Sequence, residues 1–169
     1  MIILVISGAV GVGKSTVGKE LSRLLRKNDV PHSFIDLDSL SATYPRPASD
    51  RFGKKLGLKN LATIIPNIME YGTKNIVLSG VIADREDLVF LSSLKGIKSV
   101  KVCQLYASLD VLRLRISNRD EGEVFDWCFE RAKVLSKSLR DSPKDFSLNT
   151  DQLSPPEIAS ELLLKVSWV

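Results

Sequence analysis

Apolar residues recur along this chain with two alternating periods. Ile2-Ile3-Leu4-Val5-Ile6 is a continuous apolar run, the signature of a strand buried on both faces. After a glycine-rich stretch, Val17, Leu21, Leu24 and Leu25 fall at helical spacing, which predicts a helix over about Lys14–Arg26. The alternation continues. Pro31–Asp36 leads into a second strand, and Asn75–Ser79, Val100–Tyr106 and Phe146–Leu148 read as the third to fifth. Between them lie helical patterns at about Asp50–Tyr71, Asp84–Leu94, from Ser108 or Asp110 onward, and at Gly122–Arg140. The second strand and the Asp50 helix are separated by Tyr44-Pro45-Arg46-Pro47, where two prolines forbid a regular helix.

Details of the pattern carry further expectations. The Asp50 helix is expected to break near Gly53–Gly57 and to kink at Pro66, with Leu61, Ile64, Ile65, Ile68 and Met69 on one face. Leu109, Leu112 and Ile116 should point inward, as should the stripe Val124, Cys128, Leu135 and Leu139. Ser154-Pro155-Pro156-Glu157 combines a serine N-cap, proline at N1 and glutamate at N3, so a last helix starts there, buried through Ile158, Leu162 and Val166. Strands alternating with helices imply an α/β fold with a parallel sheet, right-handed crossovers and helices on both faces.

The first strand–helix junction carries the chemistry. Gly8-Ala9-Val10-Gly11-Val12-Gly13-Lys14-Ser15 spells G-x-x-x-x-G-K-S, and Thr16 follows. Glycines at 8, 11 and 13 permit turns closed to other residues, so successive N–H groups can form an anion nest. The helix that follows aims its positive end at the same point. Lys14 would sit on the β- and γ-phosphates, the Ser15 hydroxyl would ligate Mg²⁺, and Thr16 would lie near the α-phosphate. A dinucleotide fingerprint is the rival reading. Thr16 occupies its third glycine position, although Asp36 stands where its ribose acid would be.

In an open parallel sheet the ligand lies beyond the carboxyl ends of the strands. The second strand ends in Asp36-Leu37-Asp38, and an extended chain would put both carboxylates on one side. One acid could order the magnesium shell while the other takes the proton of an acceptor hydroxyl. The same residues, with Ser39, could simply cap a short helix. The third strand ends in Ser79-Gly80 without a terminal acid, which shifts the metal role toward Asp36. Gly80 would allow close approach of a phosphate or substrate, or serve as a plain turn. Arg113, Arg115 and Arg119 crowd one helix end, either as a lid over the transferred phosphoryl group or as a solvated face. Arg46, Arg51, Lys54, Lys55 and Lys59 make the segment after the second strand basic, suited to an anionic acceptor or to solvent.

With 169 residues the chain can bury one core, and 44% hydrophobic with 26% charged residues is ordinary for a globular domain. No apolar run approaches a bilayer span, and no basic lead-in precedes Ile2, so neither membrane nor secretory leader is expected. Two cysteines, Cys103 and Cys128, lack metal or redox spacing and fit a reduced, cytoplasmic setting, with Cys103 in the core. His32 is the only histidine and is read as a surface residue, so histidine-based chemistry has one candidate. Net charge +4 suits anionic ligands; without a long basic block it does not require nucleic acid, which stays open as a partner. Strand-flanked N-K-x-D and D-x-x-G motifs of GTPases are absent, as is an L-S-G-G-Q run.

Together, Gly8–Ser15, the D-x-D of Asp36 and Asp38, the arginines 113, 115 and 119, and Asn149-Thr150-Asp151 before Ser154–Glu157 resemble the small P-loop kinases of the shikimate, gluconate and adenylylsulfate kinase group, relatives of the nucleoside monophosphate kinases. The resemblance spans nearly the whole chain. It implies one domain over 1–169, with a five-stranded parallel sheet in order 2-3-1-4-5. It also implies an acceptor segment at about 38–72 and a lid at about 113–124. By position it implies Asp36 on the magnesium side, Asp38 on the acceptor side, and Asn149 and Thr150 near the adenine. Ser79-Gly80 is a reduced form of the shikimate kinase glycine turn, and Thr43–Pro47 matches no substrate signature. The expected activity is transfer of the γ-phosphoryl group of ATP, with Mg²⁺, to a hydroxyl, phosphate or sulfate of a small molecule, by a monomer or homodimer. Two alternatives stand beside it: a nucleotide-dependent regulatory ATPase, and a kinase of nucleic-acid 5′ ends.

Overall fold

The first apolar run forms β1 (Ile2–Gly8), the central strand of the sheet in this computed structural model, which describes residues 1–168. Its continuity follows from its position, because residues of both parities are covered. Leu4 and Ile6 face one core layer, while Ile3 and Val5 face the other. β1 pairs in parallel with β3 (Asn75–Ser79) on one side and with β4 (Ser99–Tyr106) on the other. β2 (His32–Asp36) and β5 (Phe146–Asn149) form the two edges, giving the order β2-β3-β1-β4-β5. This is the expected architecture. Chain leaving β1 runs toward β2, and chain leaving β4 runs toward β5, so the crevice between these diverging connections opens beside the glycine loop.

Helices cover both faces. α1 (Lys14–Lys27), α5 (Leu109–Ser117), α6 (Gly122–Ser138) and α7 (Pro155–Val166) bury Leu21, Ile116, Ala132 and Leu162 in one layer. α3 (Lys54–Glu70) and α4 (Arg85–Ser93) bury Leu61, Ile65 and Leu91 in the other. Ser154 and Glu157 form the expected capping box at the head of α7. Cys103 lies fully in the core, and burial pushes its thiol up to about 12. Among the described residues no helix is long and apolar enough to cross a membrane.

Several local expectations are corrected. The break expected near Gly53–Gly57 occurs only at Gly53, which takes φ 72 and ends a 3-10 turn at Ala48–Asp50. α3 then runs as one helix through Gly57 and Pro66, and the Asp50 carboxylate accepts the N–H groups of Lys55 and Leu56 at 3.1 and 3.0 Å and anchors its first turn. Gly57 is needed for packing rather than for a turn: a Cβ there would lie 3.0 Å from the carbonyl oxygen of Leu37, in α2 (Leu37–Leu40). Met69, Leu109 and Val124 are exposed rather than inward, since the buried stripes of their helices are narrower than periodicity suggested. The Gly122 helix ends at Ser138 and tightens into a 3-10 turn over Leu139–Asp141. His32 is half-buried rather than on the surface, with ring nitrogens 2.8 Å from Ser22 Oγ and 2.7 Å from the Val30 carbonyl.

Candidate active site

The loop from Gly8 to Ser15 leaves the end of β1 and turns directly into α1. Its glycines are required by contact as well as by conformation. A Cβ on Gly8, at φ 150, would lie 2.5 Å from the carbonyl oxygen of Leu105 in β4. One on Gly11, at φ 83, would lie 2.8 Å from Ile116 Cγ1 in α5. Gly13 heads α1 in the left-handed region, and no side chain caps the helix, which leaves its first N–H groups available to an anion. Lys14 folds back so that Nζ donates to the Ala9 carbonyl at 3.1 Å. Burial pulls its ammonium below the ordinary lysine value; Asp38 and Asp36 oppose this, and Arg119 adds to it.

Asp36 ends β2, caps the next helix and meets the P-loop. Its Oδ2 accepts from Ser15 Oγ at 2.5 Å, and its Oδ1 accepts the N–H groups of Asp38 at 3.0 Å and Ser39 at 3.3 Å. The carboxylate therefore caps α2 and touches the P-loop hydroxyl at once. The expected extended pair is corrected: the chain turns helical at Leu37, so Asp38 reaches the cavity from the first turn of α2. Ser79 lies in register between Ile6 and Asp36, with its hydroxyl buried and unpartnered. Gly80 donates to the Ile6 carbonyl at 3.2 Å, and a Cβ there would lie 2.8 Å from Leu37 Cβ. Both stand behind the site and do not line it.

The three arginines separate. Arg115 forks onto Thr150, with Nη1 2.8 Å from Oγ1 and Nη2 2.5 Å from the carbonyl, and Nη1 lies 3.5 Å from the Val12 carbonyl. It ties α5 to the P-loop and to the end of β5 while lining the cavity. Arg119 also lines the cavity and is held by Asp120 at 2.6 and 2.8 Å. Arg113 lies 5.8 Å from the Phe129 ring centroid and is not part of the lining. Thr150 is fully buried, and Asn149 accepts the Asp151 N–H at 2.7 Å; Leu153, Pro155 and Ile158 form the cavity wall beside them.

Lys14, Ser15, Asp38, Arg115 and Arg119 line a cavity of about 1250 Å³. Across from the P-loop it is walled by Arg46, Arg51, Phe52, Lys54 and Lys55. Arg46 donates to the Ser41 carbonyl at 3.3 Å. Lys54 is committed to Asp84 and Asp87 at 2.8 and 2.9 Å, which raises its pKa despite the opposing effect of burial. Sequence reasoning missed Phe52, Asp84, Trp127 and Arg131 as cavity residues. A signal for two of them existed: Trp127, Arg131, Val134 and Ser138 recur at i, i+4, i+7 and i+11, a second stripe on α6 beside the buried one.

The AAA domain family matches residues 4–135. The chain belongs to that family. Solved structures share the fold over almost the whole length. A sugar kinase from Janibacter sp. HTCC2649 is 18% identical with TM-score 0.69, covering 100% of this chain and 96% of that one. A gluconokinase from Sinorhizobium meliloti 1021 is 19% identical with TM-score 0.65, covering 97% and 90%. An APS kinase from Mycobacterium tuberculosis, in complex with AMPPNP and APS, is 18% identical with TM-score 0.68, covering 98% and 96%. At these identities the likeness establishes the fold, that of the P-loop small-molecule kinases.

Proposed function

We propose that this protein is a kinase that transfers the γ-phosphoryl group of ATP to a small-molecule acceptor in the cytoplasm. The observation that carries the reading is the convergence of Lys14, Ser15 and Asp38 on one cavity, with Asp36 held behind Ser15, and with a separate, basic segment as the far wall. In this reading the loop N–H groups and Lys14 hold the triphosphate, and the wall at Leu153, Pro155 and Ile158, with Asn149 and Thr150 behind it, takes the adenine. Ser15 and Asp36, with adjacent oxygens, would hold a magnesium ion, a fit to a cation that takes few protein ligands and keeps water and phosphate oxygens for the rest. Bound there, the ion would neutralise charge on the β- and γ-phosphates.

Asp38 orients an acceptor hydroxyl and receives its proton as the acceptor oxygen attacks the γ-phosphorus. The bond to the β,γ-bridging oxygen breaks and ADP leaves. Arg119, and Arg115 from its anchored position, offset the charge spread over the equatorial oxygens. Residues 38–72 serve as the acceptor segment, and about 113–124 as the lid. Arg113, turned onto Phe129, is the least engaged of the three arginines. Turnover of labelled ATP against a panel of metabolites and 5′-hydroxyl oligonucleotides tests this reading. Label must appear on a small molecule. Transfer only to oligonucleotide would favour a nucleic-acid-end kinase, and hydrolysis without transfer a regulatory ATPase.

A further inference from the structure

Two charges on the acceptor wall have no partner among the described residues. Arg51 and Arg131 form no ion pair and no hydrogen bond among the described residues. Both lie against Phe52: the Arg131 guanidinium carbon is 3.9 Å from the ring centroid and that of Arg51 is 5.9 Å. Stacking occupies the flat face of a guanidinium and leaves its in-plane N–H donors free. Phe52 therefore holds Arg131 in a fixed orientation while its fork is unused. Burial, and then the like charge of Arg51, hold Arg131 below its ordinary value, as expected for two cations awaiting an anion.

The same wall also exposes apolar surface. Trp127 and Val134 remain 52% and 55% exposed although they line the cavity, and Phe52 is 41% exposed. Large uncovered apolar groups inside a cleft mark surface that a ligand covers.

We infer that the acceptor is a small anion, of the phosphate-monoester type, with a flat aromatic body, its anionic group held by Arg51 and Arg131 and its ring against Phe52 and Trp127. The inference rests on the kinase reading for its choice of the acceptor half, but it is a statement about binding and is tested as such.

With the donor site saturated by AMPPNP, phenyl phosphate, adenosine 5′-monophosphate, gluconate and adenosine are titrated while tryptophan fluorescence is followed. Trp127 lines the cavity and Trp168 packs against the core, so quenching that disappears in Trp127→Phe reports the acceptor wall. The two aromatic phosphates should bind at least about ten-fold more tightly than gluconate or adenosine, about 1.4 kcal/mol. Arg131→Gln and Arg51→Gln should each weaken them about ten-fold, and Arg131→Lys should restore only part, since it keeps charge but not the fork. Gluconate or adenosine binding as well as the aromatic phosphates, wild-type-like binding in both glutamine variants, or no binding of either aromatic phosphate at millimolar concentration would each overturn the inference. AMPPNP affinity, with Lys14→Ala as the reference for its loss, is read separately. Loss of AMPPNP binding in the unsubstituted protein would sink the donor reading, whereas Arg-dependent aromatic phosphate binding without transfer would sink only the kinase assignment.

Discussion

The two halves of the cavity are built from different material. The donor half is mostly backbone, shaped by glycines that nothing larger can replace, and its side chains already hold one another: Ser15 with Asp36, Arg115 with Thr150. The acceptor half is mostly side chain, with Arg51 and Arg131 unpaired and Phe52 and Trp127 uncovered. In the proposed kinase, the difference would reflect what each half has to recognise. A triphosphate is the same anion in every member of such a fold, so fixed N–H groups suffice. Acceptors differ, and side chains on loops and helix faces can change without disturbing the sheet.

Substitutions can separate the two halves. Lys14→Ala should lower phosphoryl transfer by about 1000-fold, because it removes a preorganised charge at the transferred group. The melting temperature should barely move, and a large drop would mean that Lys14 holds the fold instead. Gly8→Ala should act on stability, costing about 3 kcal/mol, since its Cβ would meet a backbone oxygen at 2.5 Å in a left-handed conformation. Gly122→Ala, at φ 54 with nothing within 4 Å, should cost about 1 kcal/mol by denaturant titration. Equal costs would show that packing against β4 is not what the P-loop glycine serves.

Asp38→Asn should reduce turnover about 100-fold with ATP affinity kept, as loss of a general base does; parallel losses in both would place Asp38 in the donor half. Thr150→Val should cost about 2 kcal/mol, the scale of a hydrogen bond to a charged group, by releasing one arm of Arg115. The smallest effect is on pH dependence. Burial lowers the Lys14 pKa in the free protein, and a bound triphosphate favours the charged ammonium and raises it again. ATP affinity should therefore be full below the free-protein pKa and fall as pH rises through it, beginning below lysine's ordinary 10.5. Lys14→Arg should move that alkaline limb upward, and an unmoved limb would assign it to another group.

Legibility in the sequence follows how far apart the partners lie along the chain. The β1 run, the G-x-x-x-x-G-K-S loop and the Ser154–Glu157 capping box concern neighbours within a few residues, and all three read correctly. Arg113 and Arg115 show the limit. Two positions on a helix are turned roughly 200° apart, so one faces Phe129 and the other the cavity, and a cluster of arginines does not say which. Asp36 resisted a single reading because its two oxygens do different things. Arg131 and Trp127 were hidden behind a stripe on α6 that describes the core.

Periodicity and glycine spacing, which are local, determined the alternation of strands and helices, the strand–loop–helix junction and its lysine, while the strand order came from the family resemblance. Tertiary structure alone decided which charges are spent and which are free. Arg115 finds Thr150 across 35 residues and Arg131 finds Phe52 in a distant segment. Such pairings depend on how helices settle on the sheet, whereas a backbone conformation or a capping bond is set by residues adjacent in the chain.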